Sequence, residues 1–169
     1  LDEARKVLDI GVGSGAIAVS LALERPRCRV TAVDFSEAAL RVARRNAQTL
    51  GATLETLVSD GFDALSDRRF HLIVSNPPYI AAGDPHLEQG DLRFEPPQAL
   101  ASGHDGLDLI RRLVAQAPAH LESGGWLLLE HGWDQAEAVR HLLTEAGFMA
   151  AFSAPDLAGH PRVSGGRLG

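Results

Sequence analysis

Cysteine is nearly absent from this 169-residue chain, where Cys28 stands alone. A single thiol excludes an internal disulfide framework and any Cys-rich metal site, and it fits a reducing compartment, with the cytoplasm as default. Long apolar runs are also missing. No stretch approaches eighteen apolar residues, and the opening Leu1-Asp2-Glu3-Ala4-Arg5-Lys6 lacks the apolar core of a signal peptide. Neither a membrane span nor a secretory leader is expected. Basic residues are in deficit: sixteen Lys and Arg face twenty-two Asp and Glu, giving a formal net charge of −6 and a sequence pI near 5.6. That sign is wrong for a domain that neutralises many phosphates unaided, which argues against direct nucleic-acid binding. Fixed-period repeats and low-complexity segments are absent, and the chain opens without methionine a few residues ahead of its first expected strand, so it reads as a piece of something longer. What is present is core-forming material. Hydrophobic residues make up 45% of the chain, enough for one globular domain, expected to be monomeric, and too many for a disordered one.

Hydrophobic patterning alternates between strands and helices. Val7 to Ile10 is a short apolar run that stops at a glycine cluster, and Ala16 to Glu24 favours helix until Pro26 blocks continuation. Arg29 to Val33 predicts a second strand; Ser36, with Glu37 behind it, predicts a helix start, and the amphipathic segment runs to Leu50 and closes at Gly51. Thr53 to Ser59 and Phe70 to Ser75 predict strands three and four, the latter ended by the prolines of Asn76-Pro77-Pro78-Tyr79. Leu107 to Leu121 predicts a helix interrupted late by Pro118. After Gly124-Gly125, Trp126 to Leu129 predicts a buried fifth strand in a central position. Gln135 to Ala146 predicts a helix, Phe148 to Ser153 a sixth strand, and Arg162 to Ser164 a short last one. The alternation specifies an α/β, doubly wound, mostly parallel sheet with helices on both faces, whose ligands bind beyond the carboxyl ends of the strands. Ile80 to His104 lacks periodicity and carries Gly83, Pro85, Gly90, Pro96 and Pro97. A loop of that length directly after a strand end is expected to serve function.

Gly11-Val12-Gly13-Ser14-Gly15 lies between the first strand and the first helix, where missing Cβ atoms let backbone approach a ligand. Because Ala16 follows, the stretch also satisfies G-x-G-x-x-G/A, so glycine spacing alone does not separate NAD from S-adenosylmethionine. The neighbouring acids do better. Asp34, nineteen residues after Gly15 at the end of strand two, suits the ribose hydroxyls of either cofactor. Asp9, two residues before Gly11, would repel a pyrophosphate and welcome a methionine ammonium, which favours S-adenosylmethionine. Asp60, after strand three, suits the exocyclic amine of adenine, with Gly61 and Phe62 expected near the ring. The plainer alternatives, less favoured with three acids near three successive strand ends, are a cap of the helix near Ser36 for Asp34 and a turn residue for Asp60.

Asn76-Pro77-Pro78-Tyr79 bears on reaction class. An amide or aryl-amine nitrogen is a poor nucleophile because its lone pair is delocalised, so an enzyme must hold both hydrogens while aligning the nitrogen with an electrophile. The side-chain oxygen of Asn76 and the backbone carbonyl of Pro77 offer two acceptors, which stabilise positive charge as a methyl group arrives. Pro78 makes the turn rigid, and Tyr79 can pack on the planar group. In isolation the same tetrapeptide is an ordinary Asn-Pro turn.

Together Asp9-Ile10-Gly11-Val12-Gly13-Ser14-Gly15, Asp34, Asn76-Pro77-Pro78-Tyr79, Arg93-Phe94-Glu95-Pro96 and Leu128-Leu129-Glu130-His131-Gly132 resemble the HemK/PrmC family of release factor glutamine methyltransferases across essentially the whole chain. The resemblance implies a seven-stranded class I methyltransferase fold. It implies S-adenosylmethionine as cofactor, and as substrate the glutamine side-chain nitrogen in the Gly-Gly-Gln loop of class 1 peptide chain release factors. It makes Asn76 and Pro77 the amide-holding pair, with Asn76 also reaching the cofactor. The family's helical N-terminal docking domain is expected to lie outside residues 1–169. Two positions depart from the family pattern, which has aromatics where this chain has Gly61 and Leu168. A methyltransferase acting on DNA or RNA amines shares the Asn-Pro-Pro-Tyr motif and stays open. So do a nicotinamide-dependent oxidoreductase and a cofactor-binding module without catalysis. The seven histidines show no metal-ligand spacing, so no metal is expected, and His131 is expected to orient a loop. Cys28 reads as a buried inert thiol and Trp126 as core. Trp133 reads as a cap on strand five, and Glu88, Asp91 and Glu95 as either solvated or facing a basic partner.

Overall fold

The computed structural model describes residues 5–81 and 102–169. The expected loop residues Gly83, Pro85, Glu88, Gly90, Asp91, Pro96 and Pro97, and the motif Arg93-Phe94-Glu95-Pro96, lie outside the described residues. In chain order the elements are β1 (Lys6–Ile10), α1 (Ala16–Glu24), β2 (Arg29–Asp34), α2 (Glu37–Leu50), β3 (Glu55–Val58), β4 (Phe70–Ser75), α3 (Asp108–His120), β5 (Leu121–Glu130), α4 (Ala136–Glu145), β6 (Phe148–Pro155) and β7 (Pro161–Leu168). They build one seven-stranded sheet in the order β3-β2-β1-β4-β5-β7-β6. The pairs from β3 through β5 are parallel, and β7 runs antiparallel between β5 and β6.

Strand period decides which face each side chain covers. Val7, Val30, Ala32, Leu72 and Val74 join α1 and α2 on one face, while Leu8, Val33, Ile73, Leu127 and Leu129 join α3 and α4 on the other. Leu8, Leu127 and Leu129 are completely buried. Each contributes about 2 kcal/mol by removing its apolar surface from water. The helix punctuation is local: the Ser36 hydroxyl accepts the Ala39 N–H at 3.3 Å, and Gly51 closes α2 in the left-handed region at φ 75°.

Several expectations change. Helix α3 runs as one element through Pro118 to His120, without the expected interruption. Strand β5 begins at Leu121, five residues early, because Gly124-Gly125 lies within the strand beside a register irregularity against β4. Strand β4 is the middle of the sheet; β5 is internal, beside it. Strand β7 is longer than the expected Arg162–Ser164: it extends to Leu168 through Gly165 and Gly166. A Cβ on Gly165 would lie 2.4 Å from Leu128 Cδ2, and one on Gly166 2.8 Å from Phe148 Cβ. These glycines are what lets β7 squeeze between its neighbours.

Candidate active site

The strand order reverses between β1 and β4, and at that end of the sheet a cavity of about 560 Å³ opens. Small-ligand sites commonly have this size, about 300–1,000 Å³. Asp9, Gly11, Val12, Gly13, Ser14, Asp34, Asp60, Gly61, Asn76, Pro77 and Pro78 all line it; Gly15 and Tyr79 are not among its lining residues.

The loop after β1 is built as a cradle. Val33 O accepts from Gly11 N at 2.9 Å and from Val12 N at 3.0 Å, fixing the turn against β2. Gly11 and Gly13 take φ of 72° and 53°, and no atom lies within 4 Å of where their Cβ atoms would stand. Gly15 does a different job: its Cβ would meet Ala43 Cβ at 3.1 Å, so it permits close packing of α1 on α2. Asn46 of α2, which carries no sequence signal, donates Nδ2 to Ser14 O at 2.8 Å and holds the loop from behind.

The three acids sit in different electrostatic settings. Asp34 is buried, and its Oδ2 accepts from Gly13 N at 3.0 Å while Oδ1 accepts from Ser36 N at 2.9 Å. It therefore ties the glycine loop to the start of α2 and still has lone pairs to offer. Asp9 is 1% exposed; its Oδ2 accepts from Ala18 N at 3.0 Å, and its Oδ1 has no partner. Burial, helped by the negative charge of Asp34 and opposed by the Ala18 N–H, pushes its carboxyl up to about 7. Asp60 is exposed and already engaged: Arg112 of α3 donates to its Oδ1 at 2.9 Å and to its backbone carbonyl at 3.0 Å. The same guanidinium approaches within 3.4 Å of where a Gly61 side chain would begin. Fifty-two residues separate Arg112 from Asp60, so no local pattern announces the pair. Phe62 does not join the cavity wall. It turns into the core, 4% exposed, and stacks on His120 with ring centroids 4.5 Å apart. Phe35 is the aromatic that lines the cavity, 64% exposed and directly after Asp34.

Beyond β4, the Ser75 hydroxyl donates to Ile10 O at 2.7 Å and locks the two strand ends together. Asn76 is exposed and Pro77 buried. The Tyr79 hydroxyl donates to Glu130 Oε1 at 3.3 Å, and the ring packs on the core under α3 and α4. Burial, with the Glu130 carboxylate adding to it and Arg162 opposing, raises the Tyr79 hydroxyl above its ordinary value, so it stays protonated. Gly106, at φ 76°, passes so close that a Cβ there would stand 2.1 Å from Tyr79 O. Gly106→Ala is therefore expected to destabilise the protein by about 2–4 kcal/mol, combining strained backbone with overpacking. Urea unfolding checks it, and an unchanged midpoint would refute the tight approach.

His131 is fully buried, bonded through Nε2 to Ser164 Oγ at 2.7 Å and through Nδ1 to Gly132 O at 2.8 Å. Burial lowers its pKa, which keeps the ring neutral in a structural role that joins β5 to β7. Among the described residues no group of His, Cys, Asp or Glu could hold a metal ion. No helix among them is long and apolar enough to cross a membrane. Cys28 and Trp126 are half-buried against the α1–α2 side of the sheet, and Trp133 is exposed.

Strand order, the reversed β7 and a cavity floored by a glycine loop define a class I methyltransferase fold. The methyltransferase small domain family matches residues 1–91, and this chain belongs to it. It is 58% identical over 165 residues to the release factor glutamine methyltransferase of Xylella fastidiosa strain Temecula1, an alignment covering 96% of this chain and 60% of that protein. The chain thus spans about 60% of the length of the curated relatives it matches. Among solved structures, a methyltransferase from Pyrococcus furiosus superposes with a TM-score of 0.74 at 22% identity, covering 100% of this chain and 77% of that one. The Thermus thermophilus 16S rRNA N2 G1207 methyltransferase, in complex with AdoMet and guanosine, gives 0.71 at 26% identity, covering 99% and 38% respectively.

Proposed function

We propose that residues 1–169 are the catalytic domain of a release factor glutamine methyltransferase, with S-adenosylmethionine as methyl donor and class 1 peptide chain release factors as substrates. Docking of the release factor is completed by a helical domain outside this span. The observation that carries the reading is one cavity joining the unpartnered, buried Asp9 Oδ1 to the exposed Asn76. A buried carboxylate oxygen without a donor fits a ligand cation, and a pyrophosphate would meet repulsion there, which favours the adenosyl sulfonium over NAD. The open cradle above Gly11 and Gly13 fits backbone approach to the same ligand.

Asp9 would hold the ammonium of the methionyl group and Asp34 the ribose hydroxyls. Gly11, Val12, Gly13 and Ser14 would line its path, and Gly61 would leave room near the adenine. Asp60 can meet the adenine amine only through the lone pairs that Arg112 leaves. The cofactor, when bound, supplies a methyl carbon activated by its sulfonium. Asn76 Oδ1 and Pro77 O each accept one N–H of the glutamine amide and hold its nitrogen toward that carbon, while Pro78 keeps the turn rigid. The nitrogen so held would take the methyl group that the cofactor supplies, leaving the cofactor's sulfur as a neutral thioether, and would shed its own proton to solvent. Tyr79, held protonated by burial and Glu130, is not the base: its ring packs on the core and its hydroxyl ties the end of the tetrapeptide to Glu130.

Methyl-labelled S-adenosylmethionine offered with a class 1 release factor, its Gln-substituted variant, duplex DNA and ribosomal RNA tests the reading, using this chain and a form extended to the relatives' length. Label is expected on the wild-type factor alone. Label on nucleic acid would replace glutamine by a base amine as acceptor, the reading to which the net charge of −6 is opposed.

A further inference from the structure

The Asn76–Tyr79 segment owes its position to a residue outside every motif described so far. Gln135 precedes α4 and sits at the helix entrance, its backbone N–H bonded to Gly132 O at 3.0 Å and its carbonyl accepting Val139 N at 3.0 Å. With the backbone so anchored, the side-chain amide reaches three groups from three parts of the chain. Nε2 donates to Tyr79 O at 2.9 Å and to Asp105 O at 3.0 Å, and Oε1 accepts from Gly132 N at 2.8 Å. The amide is thus used at both ends. Only this orientation avoids setting its oxygen against two carbonyl oxygens.

The surroundings leave no slack. Gly106 passes within 2.1 Å, by its missing Cβ, of the Tyr79 carbonyl, and within 2.8 Å of Gln135 Nε2; a Gly132 Cβ would lie 3.1 Å from Gln135 Oε1. Ser102 N donates to Ile80 O at 3.0 Å, a second tie between the same two stretches one residue further on. Prolines 77 and 78 lack N–H groups, so the segment cannot anchor itself through those positions, and the Gln135 donor at Tyr79 O is the tie nearest the Asn76–Pro77 pair, ahead of the Tyr79 hydroxyl and Ile80 O bonds.

We propose that Gln135 is a positioning residue for methyl transfer: by donating to Tyr79 O it sets the Asn76–Pro77 acceptor pair relative to the cavity. This rests on the glutamine methyltransferase reading above, and the test keeps the two apart. In Gln135→Glu the Gly132 N–H keeps its acceptor while both donors are lost. Loss of such a held geometry is expected to lower kcat by about tenfold to a hundredfold with S-adenosylmethionine affinity within about twofold of wild type. Lowering the pH returns one O–H donor to the glutamic acid, so the ratio of variant to wild-type rate is expected to rise as pH falls, whereas Gln135→Leu keeps a flat ratio. Tyr79 is the only tyrosine, so tyrosine labelled with ¹³C at the carbonyl reports this one acceptor in the ligand-free protein. Its signal is expected to move upfield in both variants.

An unmoved carbonyl signal, or an unchanged kcat, would overturn the proposal, as would parallel loss of kcat, cofactor affinity and melting temperature. A wild-type protein that binds S-adenosylmethionine but labels no release factor would overturn the parent reading instead, and the carbonyl signal then decides whether Gln135 holds the segment.

Discussion

Asp9→Asn is expected to make the ligand-free protein more stable above neutral pH and, at the same time, to weaken S-adenosylmethionine binding. The buried carboxyl has its proton affinity raised from 3.8 to about 7, first by burial and then by Asp34, against the single N–H of Ala18. An acid whose folded pKa lies above its unfolded value imposes no penalty below about pH 4. It costs the fold progressively as pH climbs to about 7, and it costs a constant amount beyond that. The full cost is about 2–4 kcal/mol, so removing the charge is expected to raise the melting temperature by about 4–10 °C at pH 8 and hardly at all at pH 4. Differential scanning calorimetry across pH 4–9 checks this. Coincident wild-type and variant curves at every pH would show that Asp9 is ionised without strain.

The binding half of the prediction runs in the opposite sense. The proposed ammonium partner of Asp9 is worth about tenfold to a hundredfold in affinity, and Asn cannot supply it. Because the empty site is about half protonated near pH 7, wild-type binding is expected to release about half a proton there, and Asp9→Asn none. Titration calorimetry in buffers of different ionisation enthalpy reads that proton directly. The acid would then be a place where stability is given up so that a cation can be recognised.

Asn76→Ala is expected to cut methyl transfer by about a hundredfold to a thousandfold while S-adenosylmethionine affinity changes by less than about threefold. The side chain is exposed and forms no hydrogen bond among the described residues, so its removal leaves no buried group unpaired and the fold should not notice. Asn76→Asp keeps an acceptor oxygen of the same reach and is expected to retain much more of the rate than Asn76→Ala. Single-turnover labelling of the release factor, paired with equilibrium cofactor binding, separates the effects. Equal loss in both variants would mean that the amide NH₂ of Asn76 matters and its oxygen does not.

The βα units through β4 were legible because their signals are local. A glycine cluster, Pro26, Ser36 with Glu37, Gly51 and the two prolines after Ser75 each punctuate the chain within a few residues of the boundary they cause. Strand β7 was not legible at full length. Gly165 and Gly166 look like a turn in one dimension and are required in three, where Leu128 and Phe148 leave no room for a Cβ. Phe62 shows the same limit: a turn after β3 offers no local sign of whether the ring faces the cavity or the core, and His120, fifty-eight positions away, settles it by stacking.

By itself the sequence determined the α/β alternation, the glycine loop after β1, three carboxylates at or just past three strand ends and the Asn76-Pro77-Pro78-Tyr79 turn after the fourth. All of these follow from periodicity, backbone freedom and the chemistry of single side chains. Tertiary structure alone decided how those parts are tuned. It leaves one oxygen of Asp9 buried without a donor, spends both oxygens of Asp34 partly on the backbone, and gives Asp60 to Arg112. It also hangs the Tyr79 carbonyl on Gln135. The physical reason is range: a hydrogen bond or a desolvated charge depends on atoms within a few ångströms in space, and here those atoms come from residues up to fifty-six positions apart in the chain.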